Sequence, residues 1–245
     1  MNLVADLGNS RIKLAVIDDN DEILALESHP NNASILAIND LKQKYIFQRV
    51  ILSATGAVDD SLLSTLNDID DLVFLSENIS IPIQIEYATP STLGKDRLAA
   101  AVGAFIRFPD RNALIIDMGT CITMDLVTDK GIFKGGNISP GIQMRLKAMH
   151  QFTARLPLVS AMNTNSLFGY STESAIQNGA VRGALYEIEY LITQAKAQFS
   201  EINVILTGGD AHFFESWTKN EIFAAPNLVI EGLNEILKYN AKKNL

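Results

Sequence analysis

The run Asp6-Leu7-Gly8-Asn9-Ser10-Arg11-Ile12-Lys13 sets an acidic residue, a glycine and small polar residues between two apolar stretches, Leu3–Ala5 and Ile12–Ile17. The flanks read as β-strands and the middle as a tight hairpin. Gly8 admits a turn in which φ is positive. The N–H groups of Gly8, Asn9 and Ser10, with the Ser10 hydroxyl, can then face an anion such as a phosphate chain. A carboxylate as near to phosphates as Asp6 needs a cation between them, so the pattern implies a metal. A single copy would equally suit an ordinary hairpin with a polar tip.

A second copy is present. Ile115-Ile116-Asp117-Met118-Gly119-Thr120-Cys121 falls on Val4-Ala5-Asp6-Leu7-Gly8-Asn9-Ser10, with Thr120 and Cys121 in the places of Asn9 and Ser10. Val50–Ser53 and Val204–Thr207 are a further echo: apolar strands ending in a hydroxyl and running into glycine, Gly56 in one case and Gly208-Gly209 in the other. Two half-length repeats opening on the same acidic hairpin point to a duplicated unit.

The elements that must position these hairpins follow from periodicity. In the first half, strands are expected over Asn2–Leu7, Arg11–Ile17 and Glu22–Ser28. A helix capped by Asn31 or Asn32 runs to Lys44, followed by a strand over Phe47–Ser53. A helix over Asp59–Asn67, a strand over Leu72–Leu75 and an edge strand over Ile81–Tyr87 lead to a helix opened by Gly94-Lys95-Asp96-Arg97. Pro109–Asn112 marks a boundary between domains 1–112 and 113–245. The second half repeats the scheme with strands over Ala113–Asp117, Ile122–Val127 and Gly131–Asn137, and a helix over Gly141–His150. A polar loop at Asn163-Thr164-Asn165-Ser166 precedes a long helix capped by Ser171 or Thr172. A strand over Ile202–Leu206 and a terminal helix over Glu231–Lys243 complete it. The order predicts an α/β fold of two mixed sheets flanked by helices, facing across a cleft that holds the phosphates. Gly179 and Gly183 form a flat patch on the long helix, suited to packing within the subunit or to a dimer seam.

Composition narrows the function. The 245 residues are 47% hydrophobic, which suffices for packed cores, and no apolar run reaches the length of a membrane span. The N-terminus has no charged region followed by an apolar stretch, so no signal peptide is expected. Cys121 is the only cysteine, which fits a reducing compartment; it suits a small buried residue as well as a role at the loop. A formal net charge of −8 argues against sequence-independent nucleic-acid binding but leaves room for a locally basic anion site. His29, His150 and His212 lack metal-ligand spacing.

Phosphoryl transfer proceeds by positioning and charge neutralisation, and a triphosphate brings roughly four negative charges. The first hairpin offers Arg11 and Lys13, read here as pointing to opposite faces of a loosely alternating strand; the second has neither Lys nor Arg. Mg²⁺ is therefore expected with the nucleotide, and Asp117 is expected to act near a cation. A hydroxyl acceptor needs a carboxylate in reach. Asp96 is the candidate, although its place at a helix start would also complement the helix dipole. Arg97 could hold an anionic substrate group or form a surface ion pair.

The paired hairpins and the Thr207–Asp210 loop resemble the ribonuclease-H-like superfamily of acetate and sugar kinases, the seventy-kilodalton heat-shock proteins and actin. The closer resemblance is to type III pantothenate kinase. It rests on Asp6–Ser10, Gly94-Lys95-Asp96-Arg97, Asp117–Thr120, Gly135–Gly141 and Thr207–Asp210, in that order, and spans essentially the whole chain. It implies transfer of the ATP γ-phosphate to the primary hydroxyl of pantothenate, giving 4'-phosphopantothenate and ADP, the first step of coenzyme A synthesis. Asp6, Leu7, Gly8, Asn9, Ser10, Arg11, Ile12, Lys13 and Thr120 would bind ATP. Asp96 would accept the proton. Tyr87, Gly94, Lys95, Asp96, Arg97 and Thr172 would line the pantothenate pocket, though Lys95 fills a variable position, Tyr87 suits a strand end and Thr172 a helix cap. Asp117 would ligate a monovalent cation, K⁺ or NH₄⁺. The family is a cytoplasmic homodimer; from charge and hydropathy, neither a nucleic-acid partner nor a membrane is expected. Ser10 departs from the more usual threonine of the first hairpin and keeps the hydroxyl. The competing expectations are a nucleotide-switched ATPase of the actin or heat-shock type with no small acceptor, and a same-fold kinase for another small hydroxy compound.

Overall fold

β1 (Asn2–Leu7) is apolar and buried through Ala5 and loses that cover at Asp6, so its end is where the strand can do chemistry. The computed structural model describes residues 1–163, 166–199 and 201–241, and the chain divides into two units, 1–107 with 227–245, and 108–226.

In the first unit, β1 pairs antiparallel with β2 (Arg11–Ile17), which pairs antiparallel with β3 (Ile23–Pro30). A short 3-10 turn at Asn31–Ala33 leads into α1 (Ser34–Lys44). β4 (Arg49–Ala54) returns parallel to β1, and after α2 (Asp60–Leu66), β5 (Asp71–Phe74) lies parallel to β4. The sheet order is β3-β2-β1-β4-β5. Because side chains alternate along a strand, the sheet has two sides. Leu3, Ala5, Ile12, Leu14, Val50 and Leu52 pack with Ile38, Leu41, Leu62 and Leu66 of α1 and α2. Asn2, Val4 and Asp6 face the other way.

The expected edge strand over Ile81–Tyr87 shrinks to β6 (Gln84–Ile85), and a 3-10 turn at Pro90–Thr92 precedes α3 (Lys95–Arg107).

In the second unit, β7 (Asn112–Met118), β8 (Cys121–Val127) and β9 (Ile132–Pro140) repeat the antiparallel meander. α4 (Ile142–Gln151) and α5 (Thr172–Gln198) precede β10 (Ile202–Thr207), which runs parallel to β7. α6 (Ala211–Glu215) leads to β11 (Phe223–Ala224), parallel to β10. The order β11-β10-β7-β8-β9 matches that of the first unit. Leu114, Ile116, Met118, Ile122 and Met124 pack against Ile176, Leu185 and Ile188 of α5 and Phe214 of α6. Asp117, Thr123 and Thr207, paired in register, therefore share the opposite face.

α7 (Leu228–Ala241) ends the described chain. It belongs with the first unit, whereas the sequence division placed residues 113–245 together. The physical reason is a close helix crossing. A Cβ on Gly103 of α3 would lie 2.5 Å from the Leu228 carbonyl oxygen, and one on Gly232 would lie 1.8 Å from that of Ala99. Only glycine at both positions lets the two backbones approach so closely. Asn234 of α7 also accepts a 2.8 Å bond from Asn2 at the start of β1. Thr164 and Asn165 of the expected polar loop, and residues 242 and 243 of the expected terminal helix, lie outside the described residues.

Candidate functional site

Asp6 lies opposite Lys13 in the antiparallel ladder and beside Ser53 in the parallel one. It points to the side of the sheet where α7 bonds Asn2, and the first turn of α3 carries Asp96 close enough to act on it. Burial holds the Asp6 carboxyl above the ordinary carboxylate range. The charge of Asp96 pushes it the same way, and Lys13 opposes both. The Ser53 hydroxyl also pulls it down weakly, although the fully buried Ser53 Oγ meets no hydrogen-bond partner of normal geometry among the described residues. Two carboxylates and a lysine thus converge at one end of the first unit.

Arg11 and Lys13 are both exposed and flank the buried Ile12, so they share one face rather than taking opposite ones. Arg11 is engaged by β3: its Nε donates to Ser28 Oγ at 2.9 Å and its Nη2 to the Ser28 carbonyl at 2.6 Å. Lys13 is the cation of the hairpin that acts on Asp6. Ile12 is wholly buried in the core and Leu7 packs against it, so these two can offer a ligand only their backbone.

In the turn itself, the Gly8 N–H donates to the Arg11 carbonyl at 3.0 Å, so Gly8 shapes the loop and its amide is already engaged. Asn9 and Ser10 are exposed, and among the described residues their N–H groups enter no hydrogen bond. Their carbonyls are held from behind. The Asn31 Nδ2 donates to the Gly8 carbonyl at 3.0 Å and to the Asn9 carbonyl at 3.3 Å, and the Asn31 N–H donates to that of Ser10 at 3.3 Å. The Leu7 carbonyl takes the Thr55 N–H at 3.1 Å and Thr55 Oγ1 at 3.3 Å. Sequence reasoning missed both Asn31 and Thr55, taking Asn31 only as a helix cap.

Gly94 accepts the first helical bond of α3, from Leu98 N–H at 3.1 Å. The Asp96 carboxylate folds back to take the Arg97 N–H at 2.8 Å, and a Cβ on Gly94 would lie 2.7 Å from Asp96 Oδ1. This accounts for glycine two residues before the candidate base. Arg97 is 5% exposed and its guanidinium stands 5.8 Å from the centre of the half-buried Tyr87 ring. Arg97 is therefore no surface charge. Lys95 lines a cavity of about 100 Å³ with Ile79, Ile81, Ile85, Leu93 and Leu98.

The second hairpin has the same plan with one residue fewer. Gly119 N–H donates to the Cys121 carbonyl at 3.0 Å, as Gly8 does to that of Arg11. Asp117 pairs with Thr123 as Asp6 pairs with Lys13. Thr120 therefore stands for Ser10 and Cys121 for Arg11, which corrects the match of Thr120 to Asn9 and of Cys121 to Ser10. Gly208, at φ +96°, passes over this hairpin: a Cβ there would meet Asp117 Oδ1 and the Met118 backbone, each at 2.5 Å. Asp210 N–H closes the step on the Met118 carbonyl at 2.9 Å.

Thr172 is the exposed first residue of α5, and the cap is Ser171, in a reciprocal box with Ser174. Its hydroxyl is thus released from the capping role. On α5, Gly179, Gly183, Tyr186 and Tyr190 form one stripe. A Cβ on Gly179 would meet nothing within 4 Å, and Tyr186 and Tyr190 are 44% and 68% exposed.

Among the described residues no three His, Cys, Asp or Glu side chains gather to hold a metal ion. A cation here would take at most two such side chains from this set, with backbone, hydroxyl or nucleotide oxygens as its other ligands. No helix is long and apolar enough to cross a membrane among the described residues.

The sequence profile of type III pantothenate kinase matches residues 2–194. The type III pantothenate kinase of Bacteroides fragilis (strain YCH46) is 42% identical over 241 residues, 98% of each chain. That of Christiangramia forsetii is 41% identical, covering 98% of this chain and 99% of its own. Among solved structures, a ROK family glucokinase from Streptomyces griseus in complex with glucose and AMPPNP matches with a TM-score of 0.52 at 14% identity, over 97% of this chain and 98% of its own. A Baf family protein from Campylobacter jejuni matches at 0.62 and 23% identity, over 98% and 99%. These likenesses show the fold, that of the sugar kinases. With the profile and the relatives together, the chain belongs to the type III pantothenate kinase family.

Proposed function

We propose that this protein transfers the γ-phosphate of ATP to the primary hydroxyl of pantothenate, giving 4'-phosphopantothenate and ADP at the start of coenzyme A synthesis. Family membership supports the reaction, and one observation carries the site: Asp6, Lys13 and Asp96 converge beside two unbonded turn amides. Asp96 takes the proton from the hydroxyl as it attacks. Its carboxylate is held toward the start of α3 by the Arg97 N–H. The buried Arg97, stacked near Tyr87, receives the pantothenate carboxylate. Gly94 and Lys95 line that pocket, and Thr172 is a further pantothenate-binding residue.

On the nucleotide side, the Asn9 and Ser10 amides and the Ser10 hydroxyl bind phosphate oxygens, with Lys13 and Asp6 beside them. Leu7, Arg11 and Ile12 supply the frame, and Thr120 is a further ATP-binding residue. Mg²⁺ bound with ATP neutralises the triphosphate. Asp117 ligates K⁺ or NH₄⁺. The open Gly179 and the exposed Tyr190 of α5 support a homodimer, and the protein works in the cytoplasm.

The test incubates the protein with ATP, Mg²⁺, K⁺ and pantothenate and follows ADP. Asp96→Asn should lower kcat by about 10²–10⁴ while leaving the ATP KM nearly unchanged. No pantothenate-dependent ADP, or a fully active Asp96→Asn variant, sinks the reaction or the base respectively.

A further inference from the structure

Asn31 follows β3 and opens a 3-10 turn, and no side-chain cap bond is made there. Its side-chain N–H groups instead reach the Gly8 and Asn9 carbonyls at 3.0 and 3.3 Å, and its backbone N–H reaches that of Ser10 at 3.3 Å. One residue holds three successive carbonyls of the turn. In a trans peptide unit the C=O of one residue and the N–H of the next point in opposite directions. Holding the Gly8 carbonyl therefore turns the Asn9 N–H away from Asn31, and holding that of Asn9 turns the Ser10 N–H the same way. These are the two amides of the turn that remain unbonded. Successive N–H groups aimed at one side make an anion-binding concavity.

Asn31 Oδ1 is buried with no hydrogen-bond partner among the described residues. Burying such an oxygen is unfavourable. The orientation persists because the two carbonyls need an NH₂ donor, which neither a carboxylate nor an aliphatic side chain provides. The second hairpin serves as an internal control. There Gly141 follows β9 as Asn31 follows β3, and its N–H holds the Thr120 carbonyl at 3.2 Å, as that of Asn31 holds Ser10. That turn is one residue shorter, and no side chain is needed or has room.

We propose that Asn31 is a positioning residue that aims the Asn9 and Ser10 amides at the ATP phosphates. This rests on the first hairpin being the ATP site, and the test separates the two. Asn31→Ala and Asn31→Asp are compared with the wild-type chain for kcat, both KM values, Tm, and the amide resonances of Asn9 and Ser10 with a non-hydrolysable ATP analogue. The ATP KM should rise roughly tenfold in Asn31→Ala, the loss of two hydrogen bonds. It should rise at least as much in Asn31→Asp, whose carboxylate faces two carbonyl oxygens. The pantothenate KM should stay within about twofold, since the Asn31 bonds touch only the hairpin. If both wild-type amides respond to the analogue but the variants keep their ATP KM, the role of Asn31 is overturned. An equal rise in both KM values with a large fall in Tm also overturns it, leaving a structural tie. Wild-type amides that ignore the analogue would overturn the ATP-site reading and this proposal with it.

Discussion

The two hairpins share a plan and differ in what supports them. Each carries an aspartate one residue before the end of a central strand, Asp6 or Asp117, each turns on a glycine, and each has a carbonyl of its turn held by the residue after a proline-ended strand. The first has the longer turn, a lysine opposite its aspartate and an asparagine behind it. The second is shorter, has threonine opposite its aspartate, and is enclosed by glycine on two sides, Gly141 and Gly208. An open turn with a fixed cation and free amides suits a large anion. A closed turn with hydroxyls and a carboxylate suits a small cation. The comparison teaches that one residue fewer and one exchanged charge give a duplicated frame two turns of different shape and charge, a division of labour that the proposed function assigns to anion and cation.

The largest test of that division sets Asp6→Asn against Asp117→Asn. Asp6→Asn should reduce kcat/KM for ATP by about 10²-fold or more, as loss of a charge placed at the reacting phosphates does. The folded protein should also gain stability. Burial and Asp96 raise the Asp6 pKa, so the native state binds the proton more readily than the unfolded chain. Stability is lost as pH rises from the ordinary carboxylate value through the raised one. At pH 7 the Asn variant escapes that loss, and its Tm should rise, each kcal/mol gained being worth about 2–4 °C in a chain of this size. At low pH, with Asp6 protonated in both states, the gain should vanish. Asp117→Asn should instead abolish the response of the rate to K⁺ or NH₄⁺. If the two variants lose the same property, the hairpins do not divide the work.

A smaller effect is expected from Gly141→Ala. The new Cβ would lie 2.4 Å from the Gly119 carbonyl oxygen and 2.5 Å from that of Thr120, so the backbone must yield. Overpacking of this kind costs about 1–3 kcal/mol, readable as a fall in Tm by calorimetry. A neutral Gly141→Ala would show that the second turn is as open as the first.

Much of this was legible in the sequence, and the illegible remainder has physical causes. Repeated strand patterns and the two Asp-x-Gly turns gave away the duplicated element order and the mixed sheets, because alternation and turn chemistry are local; the order of strands within each sheet depends on long-range pairing. The one-residue difference between the turns was hidden, since matching residue types put Cys121 on Ser10. The hydrogen bonds Gly8–Arg11 and Gly119–Cys121 reveal it, and they depend on where each turn closes. The placement of α7 with the first unit rests on Gly103 meeting Gly232, a contact between distant parts of the chain. Asn31 looked like a cap because asparagine before a helix usually is one. Its partners lie on a turn some twenty residues earlier, and only the fold of β3 brings them together. Asp96 and Arg97 were readable as a motif, while the burial of Arg97 and its approach to Tyr87 were not.

The subtlest test exchanges the charge that separates the hairpins. Lys13 stands opposite Asp6 and opposes the burial and the Asp96 charge that raise its pKa, whereas the residue opposite Asp117 in the matching register is the uncharged Thr123. On the proposed function, a monovalent cation at Asp117 would bring to the second hairpin the kind of charge that Lys13 brings to the first. Thr123→Lys places an ammonium group where that ion would sit, on a half-buried strand position whose side chain shares the face of Asp117. The rate without K⁺ should rise in this variant by about two- to fivefold, a gain of roughly 0.5–1 kcal/mol for one partly screened charge pair. The rate at saturating K⁺ should change less. Titrating K⁺ against both proteins reads the difference directly. A variant that still needs K⁺ to the same extent would mean the ion acts by coordination geometry, and that the lysine and the cation are not equivalent solutions to one electrostatic problem.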